Sequence, residues 1–189
     1  MKISLVGNCQ TQCYSYFLKM LMPEEDIYWC AYRDPLPWNW MRDDYGVYHI
    51  GVDDGVKHIE ESDVVIYQPI ASDQTSEFYH MGLMENYISD SAKSITVPIV
   101  VFDVEKDYDS QIRRLRRKEN FKSMEIKAVP YFQKYKDRTE DLMLNYNHPT
   151  TFLFLEILRE VCLKMDFPFF EDERYNELIL ERNFMELPC

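Results

Sequence analysis

The sequence predicts an α/β fold with three layers around a mostly parallel central sheet and a helix-rich C-terminal part. Three stretches carry that prediction. The apolar run Ile3–Val6 stops at Gly7 and gives way to a helical stripe, the strand, turn and helix that open such sheets. Val64, Val65 and Ile66 follow one another without a polar break, as in a strand covered on both faces. Beyond Pro149, apolar residues from Phe152 through Leu155, Ile157, Leu158, Val161, Cys162 and Met165 recur at helical spacing.

Taken in order, Lys2 to Val6 is the first strand, Gly7 ends it, and Asn8, Cys9 and Gln10 make the turn. From Thr11, the residues Tyr14, Phe17, Leu18 and Leu21 share one helical face until Pro23 closes the segment. Ile27–Tyr32, partly β-branched and aromatic, is the second strand. Residues 33–50 read as an inserted loop or short helix, because Pro35, Pro37, Trp38 and Trp40 show little periodicity. Gly51–Ile59 is a short helix entered through Asp53 or Asp54, and Asp63–Tyr67 is the buried strand, ended by Gln68 and Pro69. Ser76–Ser91 reads as a helix interrupted by Gly82. Ile95–Phe102 is a further strand, which Pro98 places at an edge or a bulge.

The second half is mainly helical over 129–189. Asp107–Asn120 is a polar helix, and another begins after Pro130. Leu142–Pro149 reads as a loop, since Asn145, Asn147, His148 and Pro149 all disfavour regular structure. Thr150 or Thr151 caps the long helix that follows, Pro168 lies past its end, and a last helix runs around Arg174–Arg182. At 189 residues the chain is long enough to bury a full core, and a single domain 1–189 is the simplest organisation.

Composition narrows the function classes. With 46% hydrophobic and 29% charged residues the chain is that of a globular protein rather than a disordered one. Its aromatic residues, 15% of the chain, serve a thick core or the walls of a binding face. A formal charge of −12 repels a phosphate backbone, which argues against general nucleic-acid binding. One basic cluster stands against that background. Arg113, Arg114, Arg116, Arg117 and Lys118 either receive a phosphorylated small molecule or form a solvated helix face. No apolar stretch approaches the ~20 residues of a membrane span, and the start lacks a secretory signal, so a cytoplasmic protein is expected. Five cysteines, an odd number without zinc-site spacing, fit free thiols in a reducing compartment and no metal.

Acyl transfer through a thiol needs a nucleophile, a base, a group that orients the base, and donors for the oxyanion. Cys9 is the thiol, at a helix start that favours its thiolate. His148 is the best base, because of the four histidines it alone lies in an irregular stretch immediately before a strong helix. Asn145, three residues earlier, can turn back to one imidazole nitrogen and fix the tautomer; Asn147 competes for that task. The backbone amides after Cys9 and the Gln68 side chain are oxyanion donors, with Asn8 and Gln10 as further candidates. Each residue also has an ordinary structural use, the thiol in a core and the asparagines in satisfying their own turns. Trp38, Trp40 and Tyr45 form either an apolar wall over the Cys9 turn or packing on the outer face of the fold.

The blocks SLVGNCQ at residues 4–10, VVIYQPI at Val64–Ile70 and NYNHPT at Asn145–Thr150, in this order, resemble the WcbI family of polysaccharide biosynthesis proteins. The resemblance spans most of the chain. It implies acetyl transfer from coenzyme A to a sugar hydroxyl in capsule assembly, with the arginine cluster on the nucleotide phosphates and the tryptophan loop on the sugar. The layout is also similar to a distant SGNH hydrolase of flavodoxin-like architecture, with Cys9, Gln68, Asn145 and His148 at the matching points. There cysteine replaces serine, glutamine replaces asparagine and asparagine replaces aspartate, and an uncharged orienter stabilises an imidazolium less. The expected function is therefore a Cys-His acyltransferase, with Cys9 as nucleophile or as a thiol that positions substrate. The alternatives are an esterase or thioesterase using the same residues, and a non-catalytic coenzyme A or glycan binder. A homo-oligomer is compatible with all three.

Overall fold

The computed structural model describes residues 1–31, 46–69, 85–121 and 124–180. They fall into two compact units, Met1–Thr96 and Val97–Cys189.

In the first unit, strands β1 (Lys2–Gly7), β2 (Asp26–Ala31), β3 (Tyr48–Ile50), β4 (Val64–Tyr67) and β5 (Lys93–Thr96) form one parallel sheet in the order β3-β2-β1-β4-β5. Helix α1 (Cys9–Leu21) joins β1 to β2, and α2 (Val52–Glu60) joins β3 to β4. The two helices cover opposite faces. Ser4 pairs with Tyr28 and Leu5 with Trp29 along β1 and β2, so the two pairs point to opposite sides of the pleat. On one side the Tyr28 ring lies 4.6 Å from that of His58, and Ser4 bonds the His58 carbonyl and Ser62, so α2 packs there. On the other, Trp29 Nε1 donates to Thr11 Oγ1 of α1 at 3.1 Å. The unit is thus three-layered, with Ile3, Leu5, Val65 and Ile66 sealed at the centre.

The strand order has a direct consequence. From β1 the chain runs to one side through β2 and β3, then crosses back to place β4 on the other side of β1. The carboxyl ends of β1 and β4 therefore border a topological switch point, where open α/β sheets bind ligands. Compared with the flavodoxin-like order, one strand more lies on the β2 side. That strand, β3, occupies the tail of the stretch 33–50 expected to be a loop. Three residues were enough, because Tyr48 stacks on Tyr28 at 5.0 Å and His49 meets Trp29 edge-on. Residues 33–45, with Trp38, Trp40 and Tyr45, lie outside the described residues, as does 76–84 of the expected helix, whose end at Glu85–Tyr87 is a 3-10 turn. Strand β5 is shorter than expected, starting at Lys93 and ending at Thr96 before Pro98. The cap of α2 is the Gly51 backbone rather than Asp53 or Asp54.

The second unit contains α3 (Tyr108–Phe121), α4 (Val129–Lys134), a hairpin of β6 (Met143–Asn145) and β7 (His148–Pro149), α5 (Thr151–Met165) and α6 (Asp172–Leu180). Phe102 stacks on Phe132 at 4.1 Å, and its amide donates to the Tyr146 carbonyl, pinning the tip of the hairpin. Buried Glu119 accepts from the amides of Ala128 and Val129 and so caps α4 from α3. Thr150 caps α5, and Asp166 ends it in the left-handed conformation. The expected loop Leu142–Pro149 is a hairpin. Its asparagine does not break the strand: the Asn145 carboxamide substitutes for a ladder partner, accepting from the next amides in an Asx turn. Among the described residues no helix is long and apolar enough to cross a membrane.

Candidate active-site residues

Cys9 is the first residue of α1, a partly exposed thiol at the carboxyl end of β1. Asn8 makes that helix start. Its Oδ1 accepts from Gln10 N at 2.9 Å, and its carbonyl accepts from Thr11 N at 2.9 Å and Thr11 Oγ1 at 2.7 Å. The amides after Cys9, expected to face an oxyanion, are therefore engaged within the turn, which corrects that reading. A capping asparagine takes the first orphan donors of a helix for itself.

Gln68 sits across the switch point, immediately after β4. Its own amide extends the ladder to the Val6 carbonyl at 2.9 Å. Its side-chain Oε1 accepts from Asn8 N at 3.0 Å, and its Nε2 donates toward Gln10 Oε1 at 3.4 Å. Gln68 and Gln10 are each only 2% exposed, so this is a buried brace that holds the turn to the sheet. Gly7 is required by the same contact, because a Cβ there would lie 2.5 Å from Gln68 Oε1 and 2.7 Å from Thr11 Cγ2. The structure brings Asn8, Gln10 and Gln68 together around Cys9, with Gln68 facing the turn.

In the second unit, the hairpin brings Asn145 and His148 together. Asn145 Oδ1 lies 2.8 Å from His148 Nδ1 and accepts as well from the amides of Asn147 and His148, at 3.1 Å each. The two backbone donors settle which atom of the carboxamide points inward, since only the oxygen can accept them. Nδ1 must then carry the hydrogen, which leaves the lone pair on Nε2, the orientation a general base needs. Asn147 enters this arrangement through its backbone amide. His148 is half-buried on β7.

The arginine cluster divides by helical geometry. Arg113 and Arg116, three apart on α3, line a cleft of about 450 Å³ with Lys136, Tyr108 and Asp109. Lys136 Nζ stands 5.1 Å over the Tyr108 ring. Arg114 and Arg117 are exposed and do not line this cleft. Burial and the neighbouring Arg114 lower the pKa of the Lys118 amine. Tyr108 and Lys136 escape a reading by composition; the four-residue steps Tyr108, Ile112, Arg116 give a signal for the first, whereas Lys136 arrives from another element.

No protein-family model matches the chain, and no curated protein matches it. Among solved structures it is similar to that of WcbI, described as a novel polysaccharide biosynthesis enzyme, in its native form without a disulfide bond between coenzyme A and one of its cysteines. The TM-score is 0.68 at 13% sequence identity, over 88% of this chain and 70% of that one. At such identity the likeness is one of architecture: this chain has the α/β fold of a protein described as a polysaccharide biosynthesis enzyme.

Proposed function

We propose that the protein is an acyltransferase of surface or capsular polysaccharide biosynthesis, moving an acetyl group from coenzyme A to a sugar hydroxyl. The observation that carries the reading is the Asn145–His148 pair, which supplies an oriented imidazole with its lone pair on Nε2. The fold shared with an enzyme whose description names both polysaccharide biosynthesis and coenzyme A supports it. So does the basic cleft, where Arg113, Arg116 and Lys136 suit phosphate groups and the Tyr108 ring suits a planar base.

Acetyl coenzyme A supplies an acyl group already activated as a thioester. His148 Nε2 takes the proton of the acceptor hydroxyl as that oxygen attacks the acyl carbon, then returns it to the departing sulfur. Cys9 either accepts the acyl group first, as nucleophile, or holds the substrate by its partly exposed thiol. Asn8, Gln10 and Gln68 act as positioning residues for Cys9. The arginines bind and orient the donor, with Arg113 and Arg116 the principal pair.

The test is incubation of the full chain with acetyl coenzyme A, followed by intact-mass and peptide analysis of wild type, Cys9→Ala and His148→Ala. An acetyl adduct on Cys9 supports the covalent route. Transfer to added glycan that survives Cys9→Ala but not His148→Ala supports direct attack. Transfer undiminished in His148→Ala overturns the assignment of the base. By calorimetry, Arg113→Ala with Arg116→Ala should weaken coenzyme A binding by about tenfold, and unchanged affinity removes the cleft from the site.

A further inference from the structure

The second unit holds another cavity, of about 580 Å³, whose chemistry is opposite to that of the basic cleft. We propose that it binds the glycan acceptor, an occupant whose role as acceptor rests on the acyl-transfer reading above. One wall is aromatic: Tyr135 and Phe152 meet edge-to-face with centroids 5.2 Å apart. The other is polar. Arg138 places Nε 2.6 Å and Nη2 2.5 Å from Asp141 Oδ2, an ion pair that leaves Glu140 as the uncompensated charge among these lining groups.

An aromatic face beside carboxylates and a guanidinium is the chemistry that recognises a sugar ring. The apolar C–H face of the ring covers the arene, and vicinal hydroxyls pair with carboxylate and guanidinium forks. The volume lies within the roughly 300–1,000 Å³ of small-molecule sites and admits one or two rings. Charge separates the two cavities. Arg113, Arg116 and Lys136 outnumber Asp109 in the basic cleft, whereas the aromatic cavity carries a net negative lining that disfavours phosphates. Both draw on one stretch of chain, Lys136 facing the first and Tyr135 and Arg138 the second.

The hairpin that carries the oriented imidazole also builds this cavity. Leu144, directly before Asn145, and Thr150, two residues after His148, both line it. Leu144 is 53% exposed, a large apolar side chain presented to solvent at a cavity wall. A sugar seated on Tyr135 and Phe152 thereby lies against Leu144 of the hairpin.

Saturation-transfer NMR and calorimetry with maltose, cellobiose and N,N′-diacetylchitobiose, on the full chain, test the assignment. At least one should bind saturably, with an affinity reduced about tenfold or more in Tyr135→Ala and in Glu140→Gln and unchanged in Arg113→Ala. Glu140 is exposed and its replacement isosteric, so Glu140→Gln reads binding without disturbing the fold. Absence of saturable binding by all three sugars, or binding indifferent to both variants, overturns the proposal. Failure here alongside intact coenzyme A binding and acetyl transfer leaves the function standing. Sugar binding without acetyl transfer removes the function and leaves the sugar site.

Discussion

Asn145 Oδ1 accepts three hydrogen bonds at once, from His148 Nδ1 at 2.8 Å and from the amides of Asn147 and His148 at 3.1 Å each. One oxygen therefore shapes the hairpin and sets the imidazole tautomer. In Asn145→Ala the neutral ring loses its preference for the Nδ1–H form, which nitrogen-15 shifts of His148 will report. The turn also loses its side-chain acceptor, at about 1–2 kcal/mol. Acetyl transfer is expected to fall about tenfold to a hundredfold. Asn145→Asp keeps all three acceptor contacts and should recover the tautomer. An unchanged tautomer in Asn145→Ala refutes the orienting role.

The brace around Cys9 predicts a coupled pair. Gly7→Ala drives a Cβ to 2.5 Å from Gln68 Oε1 and should destabilise by about 1–3 kcal/mol, the usual cost of overpacking. Gln68→Ala strands the Asn8 amide and should cost a similar ~1–3 kcal/mol. Removing the glutamine also relieves part of the clash, so urea unfolding of the double variant should show less than the summed loss. Simple additivity would mean that the two residues do not share this contact.

The first strand and its turn were legible because Gly7, Asn8 and an apolar run are local signals, and the Asn145–His148 pairing because three residues is the reach of an Asx turn. Gln68 was legible as the polar residue that ends β4, where its amide reads as an oxyanion donor, but the direction of its side chain was not. Whether an amide faces a pocket or a neighbouring turn depends on strand order, and here β4 beside β1 aims it at Asn8. The hairpin read as a loop because Asn145 and Asn147 penalise an isolated strand, and the bond from Phe102 to Tyr146 that holds it comes from more than forty residues away in sequence. The aromatic cavity had no linear pattern at all, since Tyr135, Phe152 and Ile179 meet only through helix packing.

Glu119 supplies a prediction of opposite sign to most core substitutions. It is 1% exposed, and burial raises its pKa above the usual carboxylate value of 4.5, although the Ala128 and Val129 amides pull it back. A folded-state pKa above the unfolded one means that this residue favours folding below 4.5 and loses that contribution as pH rises through the folded value. Glu119→Gln keeps Oε1 for both amides without the charge. Its urea midpoint should exceed that of wild type at pH 7.5, with the gap closing toward pH 4.5. A lower midpoint at pH 7.5 contradicts the burial argument.

Thiol chemistry separates Cys9 from the core cysteines. Burial pushes the Cys30 and Cys162 thiols up to about 12, so at pH 8 they hold roughly a thousandfold less thiolate than an ordinary cysteine. Cys13 is buried one turn beyond Cys9 in α1, whereas Cys9 is partly exposed. In a Cys189→Ser background, iodoacetamide at pH 8 should alkylate Cys9 in the native state and reach Cys13, Cys30 and Cys162 only after denaturation, as peptide mass mapping will show. The same thiols make the fold sensitive to alkali. Their folded pKa lies above the ordinary 9.0, so their contribution is complete below 9.0 and is lost as pH rises toward about 12. Saturating coenzyme A should slow alkylation of Cys9 if the thiol lies on the substrate path. Labelling at an unchanged rate under coenzyme A, or native-state labelling of Cys30 ahead of Cys9, would separate Cys9 from the chemistry and leave its turn a structural device.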